Sequence, residues 1–389
     1  MNEIEIELTG IAHLGEAIGK YDGKVVFVPY GIPGEIVKVK IIKDEGDYLR
    51  GEISEIIVPS FYREQPPCKL FGICGGCSFQ NVTYSYQTKL KEIVVIEQLK
   101  RIGGFENPEE FTNLTIKAQN PYNYRNRGDF SINREKRLGF KIRGTHKFIH
   151  VEYCYIMHDQ INKILSLLQE KNPKRKTHNI TIRYGIYTDT YLVQPAIDVT
   201  QIETGQPFYK EKLLGKEFQI SAPSFFQVNT YQAERLIQSV LGYLSKEDRV
   251  VIDAYAGVGT FSVFIAEKVE RVIAIEESRS AFKDAQINIK GFDNISYLCK
   301  KTEEALLDQN IQGDAIVIDP PRVGCMKEVL EAIAEKRIRK VVYVSCEPST
   351  LARDLKYLKE KGYRLVKVQP VDMFPQTCHI ENVALMILE

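Results

Sequence analysis

Two sets of cysteines in this sequence have the residue type and spacing to do chemistry. The first is a single thiol, Cys346, in the run Val341–Pro348 (VVYVSCEP). Three valines and a tyrosine in a short apolar run make a buried strand that Pro348 ends, so Cys346 stands at its carboxyl tip, with a helix expected from Ser349. Ligands of open α/β sheets bind at that edge, and a thiolate there is a nucleophile. A cysteine so placed also serves as nothing more than a small buried apolar residue. The second set is Cys68, Cys74 and Cys77, three thiols in ten residues, with Gly75 and Gly76 letting the backbone wrap between them. That is a metal-binding spacing. Cys154, in HVEYCYIMH, is the best fourth ligand; His150 and His158 are alternatives that suit zinc better than a four-cysteine cluster, and spacing alone does not choose between zinc and iron–sulfur. Eight cysteines without a secretion signal favour reduced thiols, metal ligands or catalysis over disulfides.

The segment Asp253–Thr260 (DAYAGVGT) adds a ligand-binding turn. Gly257 and Gly259 fall where a strand becomes a helix, allowing a tight turn and close ligand approach. Glu276 ends the following strand about 20 residues on, where a carboxylate can accept from both hydroxyls of a ribose. A nicotinamide or flavin site could share these features, but Ser262 stands where the third glycine of the dinucleotide fingerprint would be. Asp319-Pro-Pro-Arg322 closes a later strand, its prolines stiffening the loop and aiming Asp319 at a ligand. Upstream, Ala222–Asn229 (APSFFQVN) offers the Gln227 amide for hydrogen bonding and Asn229 as a helix cap.

Three regions must hold these residues. Residues 1–59 carry strand-like runs separated by glycine turns, the pattern of a small β-barrel of a kind that often binds oligonucleotides. Residues 60–215 form a central domain: the cysteine loop, a helix over Ser85–Ile102 whose lysines read as a solvated face, then a β-rich part with one helix at about Gln160–Glu170. Within it Tyr122–Lys147 interleaves Arg125, Arg127, Lys141 and Arg143 with aromatics, as a surface that neutralises phosphates and stacks on bases would. A charged face of an antiparallel sheet would look the same. Residues 216–389 alternate strand and helix, implying an α/β, mainly parallel, doubly wound sheet of seven strands with the last inserted antiparallel. The net charge of +1 excludes a bulk electrostatic nucleic-acid binder, and no apolar run approaches a membrane span. A cytoplasmic protein is expected, with no membrane contact.

Several of these motifs carry resemblances. DAYAGVGTF with its terminal Glu276 resembles the S-adenosylmethionine (SAM) site of Rossmann-like methyltransferases, which implies cofactor contacts from Gln227, Tyr255, Gly257, Thr260, Glu276 and Asp319. IAHLGEAIGKYDGKVVFVPYGIPGEIVKVKI looks like a TRAM domain, an OB-like RNA-binding barrel. In order along the chain, the barrel, C-x5-C-x2-C, FFQVN, DAYAGVGTF, DPPR, VSCEP and FPQTCHIENVAL resemble the SAM-dependent RNA 5-methyluridine methyltransferases of the TrmA/RumA type. The resemblance implies a [4Fe–4S] cluster on Cys68, Cys74, Cys77 and Cys154, RNA contacts from Arg125, Arg127, Lys141 and Arg143, and a monomeric enzyme. It implies Cys346 as nucleophile at carbon 6 of uracil, Glu381 as the base that removes the carbon-5 proton, and Asp319 as an orienting group. The barrel-plus-cluster layout favours 23S ribosomal RNA as partner over tRNA. A non-catalytic RNA-binding iron–sulfur protein is the competing reading; a radical SAM enzyme is disfavoured because its cysteine spacing differs. Arg322 disfavours amino-group methylation, where an aromatic residue stands in its place. Cys325, some residues beyond the loop where 5-methylcytosine enzymes carry Pro-Cys, reads as structural. His379 falls on the closing motif. One departure stands beside the nucleophile: Glu347 replaces the usual Asn, and is expected to point away from the thiol.

Overall fold

The structure is a computed structural model that describes residues 3–170, 177–199 and 201–389. Strands β1 (Glu3–Ile11), β2 (Ala17–Tyr21), β3 (Lys24–Val28), β4 (Ile36–Asp44) and β5 (Tyr48–Val58) close into a barrel in the order β1-β2-β3-β5-β4. In β1 the alternation of Glu with Ile and Leu puts Ile4, Ile6 and Leu8 inside against Val26, Val37 and Val39, leaving the acids in solvent. The cysteine loop follows, then helix α1 (Tyr84–Arg101), within one residue of the expected bounds at each end.

The central sheet runs β10-β9-β6-β7-β8, built from β6 (Arg127–Ile132), β7 (Leu138–Lys141), β8 (Phe148–His150), β9 (Asn179–Tyr184) and β10 (Tyr191–Gln194). Helix α2 (Asp159–Glu170) lays Ile161, Ile164, Leu165 and Leu168 on its face to make one core with Phe130, Ile180 and Ile182. Strands β11 (Phe208–Leu213) and β12 (Lys216–Ser221) form a separate hairpin. The boundary read at 215/216 falls in its turn. Tyr209, Leu213, Phe218 and Ile220 all join the core of the doubly wound sheet, so the hairpin packs as one piece with that sheet.

That sheet runs β15-β14-β13-β16-β17-β19-β18. Its chain order is α3 (Thr230–Tyr243), β13 (Val250–Ala254), α4 (Thr260–Ala266), β14 (Arg271–Ile275), α5 (Arg279–Asn288), β15 (Ile295–Leu298), α6 (Thr302–Leu306), β16 (Ala315–Ile318), α7 (Lys327–Glu335), β17 (Lys340–Ser345), α8 (Pro348–Glu360), β18 (Tyr363–Val371) and β19 (Glu381–Leu388). The first five strands in space are parallel; β19 enters between β17 and β18 antiparallel to both, as the sequence suggested. Residues of β13, β16 and β17 are buried on both faces, which is why these segments read as unbroken apolar runs. Val95 and Leu99 of α1 share a core with Leu351 and Leu355 of α8, so the helix after the cysteine loop packs on the same sheet. No helix among the described residues is long and apolar enough to cross a membrane.

Candidate active site

The carboxyl tips of β13, β14, β16 and β17 and the start of β19 converge on one edge of the sheet. Where β13 ends, the chain takes left-handed conformations at Tyr255, Gly257 and Gly259, with φ of 62°, 59° and 85°, and Gly259 caps α4. The Gly257 N–H donates to one oxygen of Glu276 at 2.9 Å and the Ser278 N–H to the other at 2.7 Å. The acid at the second strand tip thus fixes the shape of the glycine turn. Ser262 explains the missing third glycine: its hydroxyl donates to the carboxylate of Asp253, a residue only 1 % exposed. Glycine there would take away the hydroxyl and leave the buried acid the backbone N–H of residue 262. Burial still pushes the Asp253 carboxyl up to about 7. Sequence reading did not single out Asp253; the serine in a glycine's place was the available signal.

Cys346 follows directly on β17, and Pro348 opens α8 one residue after Glu347. Glu347 caps that helix, accepting from the Ser349 hydroxyl at 2.8 Å and the Ser349 N–H at 3.4 Å. Burial pushes the Cys346 thiol up to about 12, Glu381 and Asp319 add to this, and the charge of the Arg322 guanidinium opposes it. Glu381, 4 % exposed at the start of β19, is held well above the usual carboxylate range by burial and by Asp319, with Arg322 opposing. Asp319, one residue past β16, is pushed up to about 7 by burial and by Asp253 behind it. His379 is pushed down to about 4, by burial and then by the charge of Arg322. Cys325 is buried, and its N–H donates to Asp354. Asn229 caps α3 as expected, accepting from the Gln232 N–H at 3.3 Å.

The loop from Asp372 to His379 ties the molecule together. Ser78 and Phe79, just past Cys77, both donate their N–H groups to the Gln376 carbonyl at 3.0 Å. The Gln87 amide donates to the Gln376 side chain at 3.0 Å, the Tyr124 hydroxyl to the Pro375 carbonyl at 3.0 Å, and the Asn229 amide to the Met373 carbonyl at 3.1 Å. Lys91 donates to Asp372 at 2.5 Å, both side chains fully buried, and to the Phe374 carbonyl at 3.0 Å. The solvated face expected for α1 is therefore corrected at Lys91. Gln87, Lys91 and Val94 lie on one stripe at helical spacing, and that stripe faces inward. The barrel touches the same loop, since a Cβ on Gly15 would stand 2.5 Å from that of Cys378.

One cavity of about 1200 Å³ joins the expected sites. Gln227, Tyr255, Gly257, Glu276 and Asp319 line it, as do Cys346 and Glu381. So do Cys68, Cys74, Cys77 and Cys154 at the central-domain end, with Arg125 and Lys141. Three expected residues lie outside it. Thr260 is the first residue of α4, behind the glycine turn. Arg127 is held by Asp129 at 2.9 Å; Arg143 reaches across to the barrel, pairing with Glu16 at 3.1 Å and stacking on Tyr30.

The four cysteines are free thiols. Burial pushes Cys77 up to about 12 and Cys154 up to about 11, and the other cysteines of the set raise both further, which places the four within electrostatic reach of one another. The two histidine alternatives are engaged elsewhere, His150 with the Leu138 carbonyl and His158 against the ring of Tyr184. Among the described residues no group of three or more His, Cys, Asp or Glu is arranged to hold a metal ion, so the expected cluster is not itself demonstrated. Four thiolates around one zinc would stand about 3.8 Å apart, given a Zn–S bond of about 2.3 Å.

The sequence model of the tRNA (uracil-5-)-methyltransferase family matches residues 197–388, and that of the TRAM domain residues 2–54. An uncharacterized RNA methyltransferase of Clostridium tetani is 34 % identical, covering 97 % of this chain and 95 % of its own. Another, from Thermosynechococcus vestitus, is 32 % identical over 98 % and 97 %. The crystal structure of Pyrococcus abyssi tRNA (uracil-54, C5)-methyltransferase in complex with S-adenosyl-L-homocysteine superposes with a TM-score of 0.74. It covers 98 % of this chain and 99 % of that one at 24 % identity, a fold shared over the whole length.

Proposed function

We propose, for a chain that belongs to the tRNA (uracil-5-)-methyltransferase family and is an RNA methyltransferase, that it methylates carbon 5 of a uridine in RNA through a covalent adduct on Cys346. The observation that carries this reading is the meeting of Cys346, Glu381, Asp319 and the Gly257 turn in one cavity. SAM, held by Gln227, Tyr255, Gly257 and Glu276, would supply the methyl group as a sulfonium, with Thr260 shaping the turn from behind.

Carbon 5 of uracil is too weak a nucleophile to take a methyl group unaided. The Cys346 sulfur adds to carbon 6, and the electron pair displaced from the ring double bond makes carbon 5 an enolate carbon. Arg322 favours the thiolate that this step needs. Once carbon 5 carries the methyl group, Glu381 takes its proton, the double bond re-forms and the Cys346 sulfur leaves. Asp319, between the glycine turn and Cys346, orients the ring. Glu347, engaged by Ser349, keeps its charge on α8.

Cys68, Cys74, Cys77 and Cys154 hold a [4Fe–4S] cluster in this reading. Methyl transfer from a sulfonium needs no electron, so the cluster's role is structural or toward RNA. Arg125 and Lys141, which line the cavity, are the nearer phosphate contacts, with the barrel as a second grip. The layout argument favoured 23S ribosomal RNA. A transfer-RNA enzyme that shares the fold end to end removes the discriminating power of that layout, and mapping 5-methyluridine in ribosomal and transfer RNA with and without the protein assigns the target.

RNA containing 5-fluorouracil tests the chemistry, because fluorine at carbon 5 cannot leave as a proton. The expected result is a denaturation-resistant protein–RNA complex that forms only with SAM and is lost in Cys346→Ala. A Cys346→Ala protein that still turns over would end the covalent reading.

A further inference from the structure

Two carboxylates at the sheet edge of the cavity, Glu381, 4 % exposed, and the partly buried Asp319, have no protein hydrogen-bond donor among the described residues. They stand at the tips of β16 and β19, with Cys346 on β17 between them in the sheet. Asp253, on neighbouring β13, stands behind Asp319 and is engaged by Ser262. A carboxylate taken out of water without donors or a counter-ion is unfavourable while charged, and acids side by side disfavour each other's ionisation. The other charged and titratable groups that face the pair are few. Arg322 acts on Glu381 and on the Cys346 thiol. His379, across from Arg322, is neutral over the physiological range. Glu276 is taken by the N–H groups of Gly257 and Ser278. The free cavity therefore lacks one positive charge at a fixed place.

We propose that Asp319 and Glu381 together read the charge of the cofactor: the free cavity keeps a proton on this pair, a sulfonium displaces it on binding, and the neutral sulfide product does not. This rests on the reading of the cavity as the SAM site. The bound cation supplies the missing counter-charge, leaves Glu381 ionised and ready as the base, and favours the Cys346 thiolate. When the methyl group has gone the cofactor is uncharged, the pair takes a proton back, and the product is held less tightly.

SAM and S-adenosylhomocysteine share the adenosine and amino-acid ends and differ by one methyl group and one positive charge, so their difference isolates this effect. Asp319 is raised in the free cavity and lowered when a cation sits beside it. Affinity for SAM should consequently rise with pH up to about 7 and level off above it, and fall as acid protonates the pair. Calorimetric titration of the full chain in buffers of different ionisation heat, from pH 6 to 8, counts the protons. The expected result is release that approaches one proton near pH 6 and falls toward none by pH 8 with SAM, and with sinefungin, whose ammonium replaces the methyl sulfonium, against much less with S-adenosylhomocysteine throughout. The SAM preference should change by up to about tenfold per pH unit below 7. In Asp319→Asn the proton counts for SAM and S-adenosylhomocysteine should become equal, whatever the change in either affinity. Equal proton release by SAM and S-adenosylhomocysteine in the unaltered protein overturns the proposal and leaves the cofactor assignment standing. Failure of either ligand to bind overturns both.

Discussion

The chain places thiols at two ends of one cavity and treats them in opposite ways. At the sheet edge Cys346 is a single thiol with a guanidinium beside it. At the central-domain end Cys77 and Cys154 have burial and one another's thiolates for company, and each deprotonation makes the next harder. Both kinds are pushed to about 11 or 12, so displacement of the pKa alone does not say which cysteine reacts. What distinguishes them is the source of positive charge. Cys346 draws on Arg322 and, in turn, on a cationic cofactor, and can gain and lose its proton within a cycle. In the reading proposed above, four mutually opposed thiols would be reconciled by a metal centre that stays.

Four substitutions would break or sharpen that contrast. The largest effect is expected from exchanging the two kinds of cysteine loss. Cys346→Ala should lower methyl transfer by at least about 10⁴-fold while leaving iron content and thermal stability intact. Cys77→Ser should instead remove iron and its visible absorbance and lower the melting temperature, because the Ser78 and Phe79 bonds to Gln376 depend on that loop. If both variants kept iron and lost activity alike, the contrast would fail. A smaller effect is expected from Arg322→Gln. Alkylation of Cys346 at pH 8 should slow about tenfold, the effect of about one unit in thiol acidity, with no change at the other thiols. Peptide mapping after timed alkylation reads this directly. The smallest comes from Arg143→Ala, which parts the central domain from the barrel at a half-exposed ion pair with Glu16. About 1 kcal/mol of stability or less is at stake there. Denaturant unfolding measures it, and a large fall in RNA affinity without that loss would return Arg143 to the RNA surface.

Reading the sequence reached the sheet and its reactive edge because both are written in local pattern. β-branched runs ended by Pro or Gly give β13, β16 and β17, and Cys346 and Asp319 come with the strand ends. Even the antiparallel entry of β19 was readable. What local pattern could not supply was partners. Arg127 and Arg143 read as cations free for phosphate, and the structure pairs them with Asp129 and Glu16. Lys91 looks like a surface lysine until Asp372, 281 positions away, is found buried against it. The hairpin of β11 and β12 was cut at its turn because its apolar residues announce a core without saying whose. Asp253 was passed over because the signal lay in the serine that serves it.

The position of β19 bears on when the protein first becomes able to react. This strand is made after β18 yet pairs between β17 and β18, and it brings Glu381 with it. A ribosome with β19 still in its exit tunnel has already released the barrel, the cysteine loop, the glycine turn and Cys346. Until β19 pairs, β17 keeps one edge open and β18 has no partner strand. At that stage the sheet edge carries Cys346 without Glu381, and the loop from Asp372 to His379 has yet to tie the cysteine loop and α1 to the sheet. Placing β19 is thus the single step that both closes the sheet and completes the cavity lining with Glu381.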